Sequence, residues 1–172
     1  MTLFIDKTKF VGEIKIDFGS FDNFTDLAPQ IQRRYLIRFL GFECYKALEA
    51  AEADPEFVNI LDGVDDGFTD ENGVLCEVPG LKEILLYFFF NDYQKEIQSF
   101  TSTLGEFEGM AENADRDQDK HLLVKKLVRA WNLGREKYLA LGKYMVYQNE
   151  QTPDLYPGFE IAEIDKINSY DI

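Results

Sequence analysis

Leu81-Lys-Glu-Ile-Leu-Leu-Tyr-Phe-Phe-Phe90 is the most apolar part of the chain. Helical spacing continues it through Tyr93 to Ile97, with Ile84, Leu85, Phe88 and Phe89 on one face and Leu86, Tyr87 and Phe90 widening that face around the cylinder. A helix apolar nearly all round is buried on most sides, so other helices are expected to pack about it. Its longest uninterrupted apolar stretch, from Ile84 to Phe90, is far short of the ~20 residues a membrane helix needs, and no membrane span is expected.

Upstream of this helix, Pro79 and Gly80 close a short hairpin. Residues Gly67 to Thr69 and Val74 to Val78 read as its strands, about 65 to 78 in all, and Asn72-Gly73 suits the positive φ of a two-residue turn. Its acidic residues predict an exposed protrusion that contacts a partner. Asp54 before Pro55 opens a short helix through Phe57, Ile60 and Leu61 that stops near Gly63. Further back, Thr25 or Asp26 caps a longer helix, with Pro29 in its first turn and Leu27, Ile31, Tyr35, Leu36, Phe39, Leu40, Cys44 and Leu48 facing inward. Gly41 in mid-pattern predicts a kink or a close approach. Ile14, Ile16 and Phe18 alternate with Glu13, Lys15 and Asp17, the period of a half-buried strand.

Downstream, residues 99 to 113 are expected to form a long irregular loop, because Ser, Thr, Gly105 and Gly109 interrupt scattered apolar residues. A long helix then runs from about Asp115 to Asn149, with Leu123, Leu127, Trp131, Gly134, Tyr138, Leu141 and Met145 three or four apart. Leu36, Leu40, Leu85, Phe88, Phe89, Leu127, Trp131 and Tyr138 are the expected core. Pro153, Pro157 and Gly158 then separate off a tail carrying Phe159, Ile161, Ile164, Ile167 and Tyr170. The expected fold is mainly α: a bundle of three to four helices over 1–150 with a short β-hairpin, then an extended C-terminal docking tail over 151–172, ordered mainly by a partner. A tail packed on its own subunit is the competing arrangement.

The 172 residues are enough for one sizeable core. Thirty-two Asp and Glu against 18 Lys and Arg leave a net charge of −14, which argues against binding nucleic acid over the whole surface. Residues 116 to 143 oppose that trend: eight Lys and Arg against three acids give +5 locally, so the remainder carries −19. Two readings stand. The basic stretch is a solvated helix face, or it meets an acidic surface on a neighbouring copy, with Lys125, Lys126 and Arg129 in the contact.

No catalytic or cofactor motif emerges. His121 is the single histidine and lies in a Lys-rich helix start without GxSxG or a glycine-framed cysteine nearby. Walker A and GxGxxG loops are absent from the sequence. Cys44 and Cys76 read as packing residues, and a zinc site built from this chain alone is not expected. The acids from Asp62 to Glu71 are calcium-loop-like in composition only, since a template begun at Asp62 places Gly73 where the bidentate Glu must stand. The expectation is no enzyme, no cofactor and no metal. Asp6, Lys7 and Lys9 interrupt the start of the chain, so no secretory leader is expected.

Several of these features recur in one order: Phe57-Val-Asn-Ile-Leu-Asp-Gly63, the hairpin through Asn72-Gly73, Pro79-Gly-Leu-Lys-Glu-Ile-Leu-Leu-Tyr-Phe-Phe-Phe90, Ser102-Thr-Leu-Gly105, Glu112-Asn-Ala114 and Trp131-Asn-Leu-Gly134 with Tyr138. Leu27-Ala-Pro-Gln-Ile31 and the stretch from Arg33 to Gly41 precede them. This order resembles the head-tail connector (adaptor, or ring) proteins of tailed bacteriophages, particularly those of crAss-like phages of Bacteroidota, over roughly residues 25 to 145. The shared motifs are helix boundaries and packing positions rather than a catalytic signature. The run Phe88-Phe-Phe90 is heavier in aromatics than that pattern, and the loop near Gly105 more acidic.

The resemblance implies a structural virion protein, made in the host cytoplasm, that forms a usually twelvefold ring in the phage neck. Its implied partners are copies of itself, the portal protein, further tail or connector ring proteins, and DNA passing through the lumen without sequence-specific binding. The competing class is an acidic DNA mimic or inhibitor that occupies a basic protein cleft. That class accounts for the charge of −14 but not for the cationic helix or the apolar tail.

Overall fold

The computed structural model describes residues 2–16, 23–103 and 113–168, with side chains omitted over 97–103 and 113–121. Four helices and one hairpin follow two short 3-10 helices, Lys7–Lys9 and Gly12–Ile14: α1 (Phe24–Ala50), α2 (Pro55–Asp62), β1 (Gly63–Thr69), β2 (Leu75–Pro79), α3 (Leu81–Thr103) and α4 (Asn113–Gln151). The fold is mainly helical, with a two-stranded antiparallel hairpin and an extended tail. No helix among the described residues is long and apolar enough to cross a membrane.

Helix α3 is the axis of the core. Ile84, Leu85, Leu86, Phe88, Phe89, Phe90 and Tyr93 are all buried. Consecutive aromatics leave a helix about 100° apart, so Phe88 and Phe89 serve different neighbours. Phe88 meets Tyr35 and Phe39 of α1, each at 5.0 Å between ring centres, and Trp131 of α4 at 4.9 Å. Phe89 instead joins Phe10, Phe24 and Tyr93, each at about 5.2 to 5.3 Å, and so ties the N-terminal segment to the bundle. Edge-to-face and offset pairs of this kind add about 0.5–1.5 kcal/mol each beyond burial. Helices α3 and α4 approach closely at Gly134, where a Cβ would lie 2.9 Å from Tyr87 Cβ and 3.0 Å from Phe88 Cε2.

Several boundaries differ from the sequence expectation. α1 begins at Phe24 with Asn23 as its N-cap, so Pro29 stands in the second turn rather than the first. The break at Gly41 is real: its φ of +74° lies in the left-handed region that favours glycine. Of the strand expected over 13–18, residues 13–16 do not form one, and Asp17 and Phe18 lie outside the described residues. Ile14 and Ile16 are buried and Glu13 and Lys15 exposed, yet the segment turns through the 3-10 helix Gly12–Ile14, because among the described residues no third strand accompanies the pair β1-β2. Of the loop expected over 99–113, residues 99–103 belong to α3 and Asn113 to α4, and residues 104–112 lie outside the described residues.

The hairpin turn also differs. Thr69 pairs with Leu75, and the loop closes by bonds from the Asp70 N–H to the Val74 carbonyl and from the Gly73 N–H to the Asp70 carbonyl. A three-residue connection with Gly73 at positive φ replaces the two-residue turn. The base of the hairpin is packed into the core, while no residue of β1 is fully buried. Val78, Pro79 and Gly80 are buried, and Phe68 packs on Tyr144 and Tyr147 of α4 at 5.5 and 5.4 Å. The tip is bare, with Val74 55% and Leu75 71% exposed, and so are Asp65, Asp66 and Thr69 of β1 and Glu77 of β2.

Candidate functional site

Helix α4 spans 39 residues and presents two different surfaces along its length. Its C-terminal half binds the chain's own tail in extended form. Asn132 pairs with Ile167 through both amide atoms, donating to its carbonyl at 2.9 Å and accepting from its N–H at 3.1 Å. Asn149 treats Tyr156 the same way, at 3.0 and 2.8 Å. Between them Trp131 Nε1–H donates to the Asp165 carbonyl at 2.9 Å and Arg135 Nε–H to the Ile164 carbonyl at 2.5 Å. Tyr138 O–H donates to the Phe39 carbonyl and accepts from the Ala162 N–H, joining α1, α4 and the tail at one oxygen. As the tail number rises from 156 to 167 the helix partner falls from 149 to 132, so the tail runs antiparallel to α4.

This arrangement corrects the docking-tail expectation for the described part. Phe159 and Ile164 are buried against their own subunit, Ile167 is half-buried, and Ile161 is 40% exposed where it lies over Gly142. Tyr170 lies outside the described residues. Trp131 is corrected too: it sits half-buried at the core's edge between Phe88 and the tail, not in the deep interior.

The residues doing this work carry little sequence signal. Asn132 and Asn149 sit inside a helix, where asparagine is disfavoured because its amide competes for backbone groups. Here both recruit an external backbone segment, whereas Asn91 inside α3 donates to the Tyr87 carbonyl of its own helix. Gln32 is a third case: buried in α1, its Oε1 accepts from the Phe4 and Ile5 N–H groups and its Nε2 donates to the Thr2 carbonyl.

The N-terminal half of the side-chain-resolved part of α4 presents the other surface. Leu122, Lys125, Lys126 and Arg129 are exposed and stand at i, i+3, i+4 and i+7, one continuous stripe. Arg129 pairs with Glu13 of its own chain at 2.6 Å, an exposed pair worth little in water. Lys125 and Lys126 have no ion-pair partner among the described residues. Further along, Lys137 reaches Glu83 at 3.1 Å. Burial pulls its ammonium pKa down, and the hydrogen bond and charge of Glu83 outweigh this to hold it above its ordinary value. The basic stretch is thus answered partly from within the chain. His121 is among the side chains not described.

The hairpin supplies the opposite charge. Gly63–Pro79 carries five acids, Asp65, Asp66, Asp70, Glu71 and Glu77, and no Lys or Arg. Asp70 is committed to the turn, where its carboxylate accepts from the Val74 and Asn72 N–H groups at 2.8 and 2.9 Å. The N–H of Val74 above all holds its pKa below the ordinary carboxylate value; burial opposes this, and the bonds from Asn72 and the charge of Lys143 reinforce it. Asp65, Asp66 and Glu71 are exposed. A cleft of about 500 Å³ opens between the tip and α4, lined by Phe68, Glu71, Lys143, Tyr147 and Ile161 among others.

The two cysteines stand in different surroundings. Burial pushes the Cys44 thiol up to about 12, which removes the thiolate at neutral pH. Cys76 is half-exposed, with its Sγ 3.6 Å from the Val74 carbonyl. Among the described residues no three His, Cys, Asp or Glu side chains gather as a metal site. The chain matches no protein-family model, no curated protein and no solved structure.

Proposed function

We propose that this chain is a structural, non-catalytic subunit that repeats around a ring in the neck of a tailed bacteriophage virion, between portal and tail, with DNA passing through the lumen. One observation carries the reading: a helix-centred subunit bears an exposed basic stripe on α4 and an acidic hairpin elsewhere on the same surface. A surface that is complementary to a different part of itself associates head to tail, and such contacts close into rings when the rotation permits. The sequence resemblance to connector proteins supports the same assignment. The net charge of −14 suits a channel wall that DNA slides past, since like charge repels the phosphates.

Native mass spectrometry and electron microscopy of the full chain at low and at high salt test this. The expected result is a closed ring, near twelvefold, that loosens as salt rises. A strictly monomeric chain that binds a basic protein cleft would instead make it a DNA mimic.

A further inference from the structure

We infer that the acidic hairpin tip of one copy docks on the basic stripe Leu122–Arg129 of a second copy. The stripe offers Lys125 and Lys126 beside Leu122, which is 55% exposed. The tip offers Glu71, with Asp65 and Asp66 along β1, beside Val74 and Leu75 at 55% and 71% exposure. Each patch therefore joins an unburied apolar residue to charge, and the charges are opposite.

The two patches cannot satisfy each other within one copy. The hairpin is held on α4 at Tyr144, 18 residues from Lys126, and 18 residues of helix span about 27 Å. That separation is about three screening lengths at physiological salt. The turn does not need to reorganise for docking, because Asp70 already fixes it through two backbone N–H bonds.

A second copy fits better than DNA as the occupant. Three basic residues over two turns, on a chain of charge −14, make a poor polyanion site. A phosphate backbone also has no use for Leu122, whereas Val74 and Leu75 would cover it. The inference deepens the ring reading by naming the faces, and rests on that reading only for closure: the same contact without closure gives an open chain of copies.

Two variants of the full chain test it. One replaces Glu71, Asp65 and Asp66 by Lys; the other replaces Lys125 and Lys126 by Glu. In sedimentation at low salt each alone is expected to lose self-association by on the order of tenfold or more, because like charges are set opposite one another. An equimolar mixture of the two is expected to assemble again, since each reversed patch now meets its complement on the other variant. Assembly of either variant at wild-type strength overturns the inference and leaves the ring reading standing. Open oligomers that respond to reversal and rescue support the inference and refute the ring. A wild-type chain that stays monomeric, or a stripe whose reversal abolishes only DNA binding, overturns the inference as well.

Discussion

Two halves of one helix behave differently. From Trp131 to Asn149, α4 turns its amides, its indole and its phenol toward the chain's own tail. From Leu122 to Arg129 the same helix carries exposed charge and an exposed leucine. The C-terminal stretch is used up by the chain's own tail, and the N-terminal stretch stays exposed. On the docking inference, the difference separates residues whose loss damages the fold from residues whose loss is felt only in self-association.

The strongest way to break the comparison is to delete residues 156–172. Tyr156, Phe159 and Ile164 would lose their burial, each worth about 1.5–3 kcal/mol, and the Asn132 and Asn149 amides would lose their partners. At roughly 2–4 °C per kcal/mol for a chain of this size, melting is expected about 10 °C or more lower. A melting temperature unchanged within 2 °C would show that the tail belongs to a partner after all.

A smaller effect is expected from Trp131→Ala, also in the tail-binding half. The ring is half-buried, so about 2 kcal/mol is expected, from one hydrogen bond to the Asp165 carbonyl and the edge contact with Phe88. A deep core position would cost about 3–5 kcal/mol. Chemical denaturation separates the two values.

These contrasts also mark what the sequence made legible. α3 was readable because apolar residues on every side leave no solvated option, and the start of α2 because Asp54-Pro55 is a capping signal with a local mechanism. The kink at Gly41 and the helical class follow from equally local chemistry. The strand expected near Ile14 was not, because alternating burial is shared by a strand and by an irregular segment laid on a helical face; only a ladder partner distinguishes them, and that lies elsewhere in the chain. The tail failed for the same reason. Phe159 and Ile164 signal burial without naming the surface, and the partners Asn132, Asn149 and Tyr138 are identified only by folding. Of the interface residues expected from the sequence, Lys125 and Lys126 stand exposed, Arg129 is shared with Glu13, and Phe159 and Ile164 are buried at home.

Acid sharpens the hairpin's place in the comparison. Asp70 has a folded pKa below its ordinary value, so its contribution is complete above that ordinary value and is lost as pH falls through the lower folded one. The Asn72 and Val74 amides are expected to exchange faster below about pH 4 while those of α3 stay protected. Asp70→Asn should remove most of that pH dependence. Equal acid sensitivity in α3 would mean that the loss is global and does not originate at the turn.

The smallest expected effect is the most discriminating. Lys125→Glu with Lys126→Glu should leave the melting temperature of the dilute monomer unchanged to within the ±0.5 kcal/mol typical of exposed sites. Both side chains are exposed, and among the described residues neither has an ion-pair partner to lose. The double reversal removes two positive and adds two negative charges, taking the net charge from −14 to −18, so the measurement belongs at physiological salt, where repulsion beyond about 8 Å is screened. Under those conditions a change confined to self-association separates a surface kept for another copy from one that supports the subunit. A melting temperature lowered by several degrees would place Lys125 and Lys126 with Trp131 and Asn132, as residues that hold their own chain, and would erase the distinction between the two halves of α4.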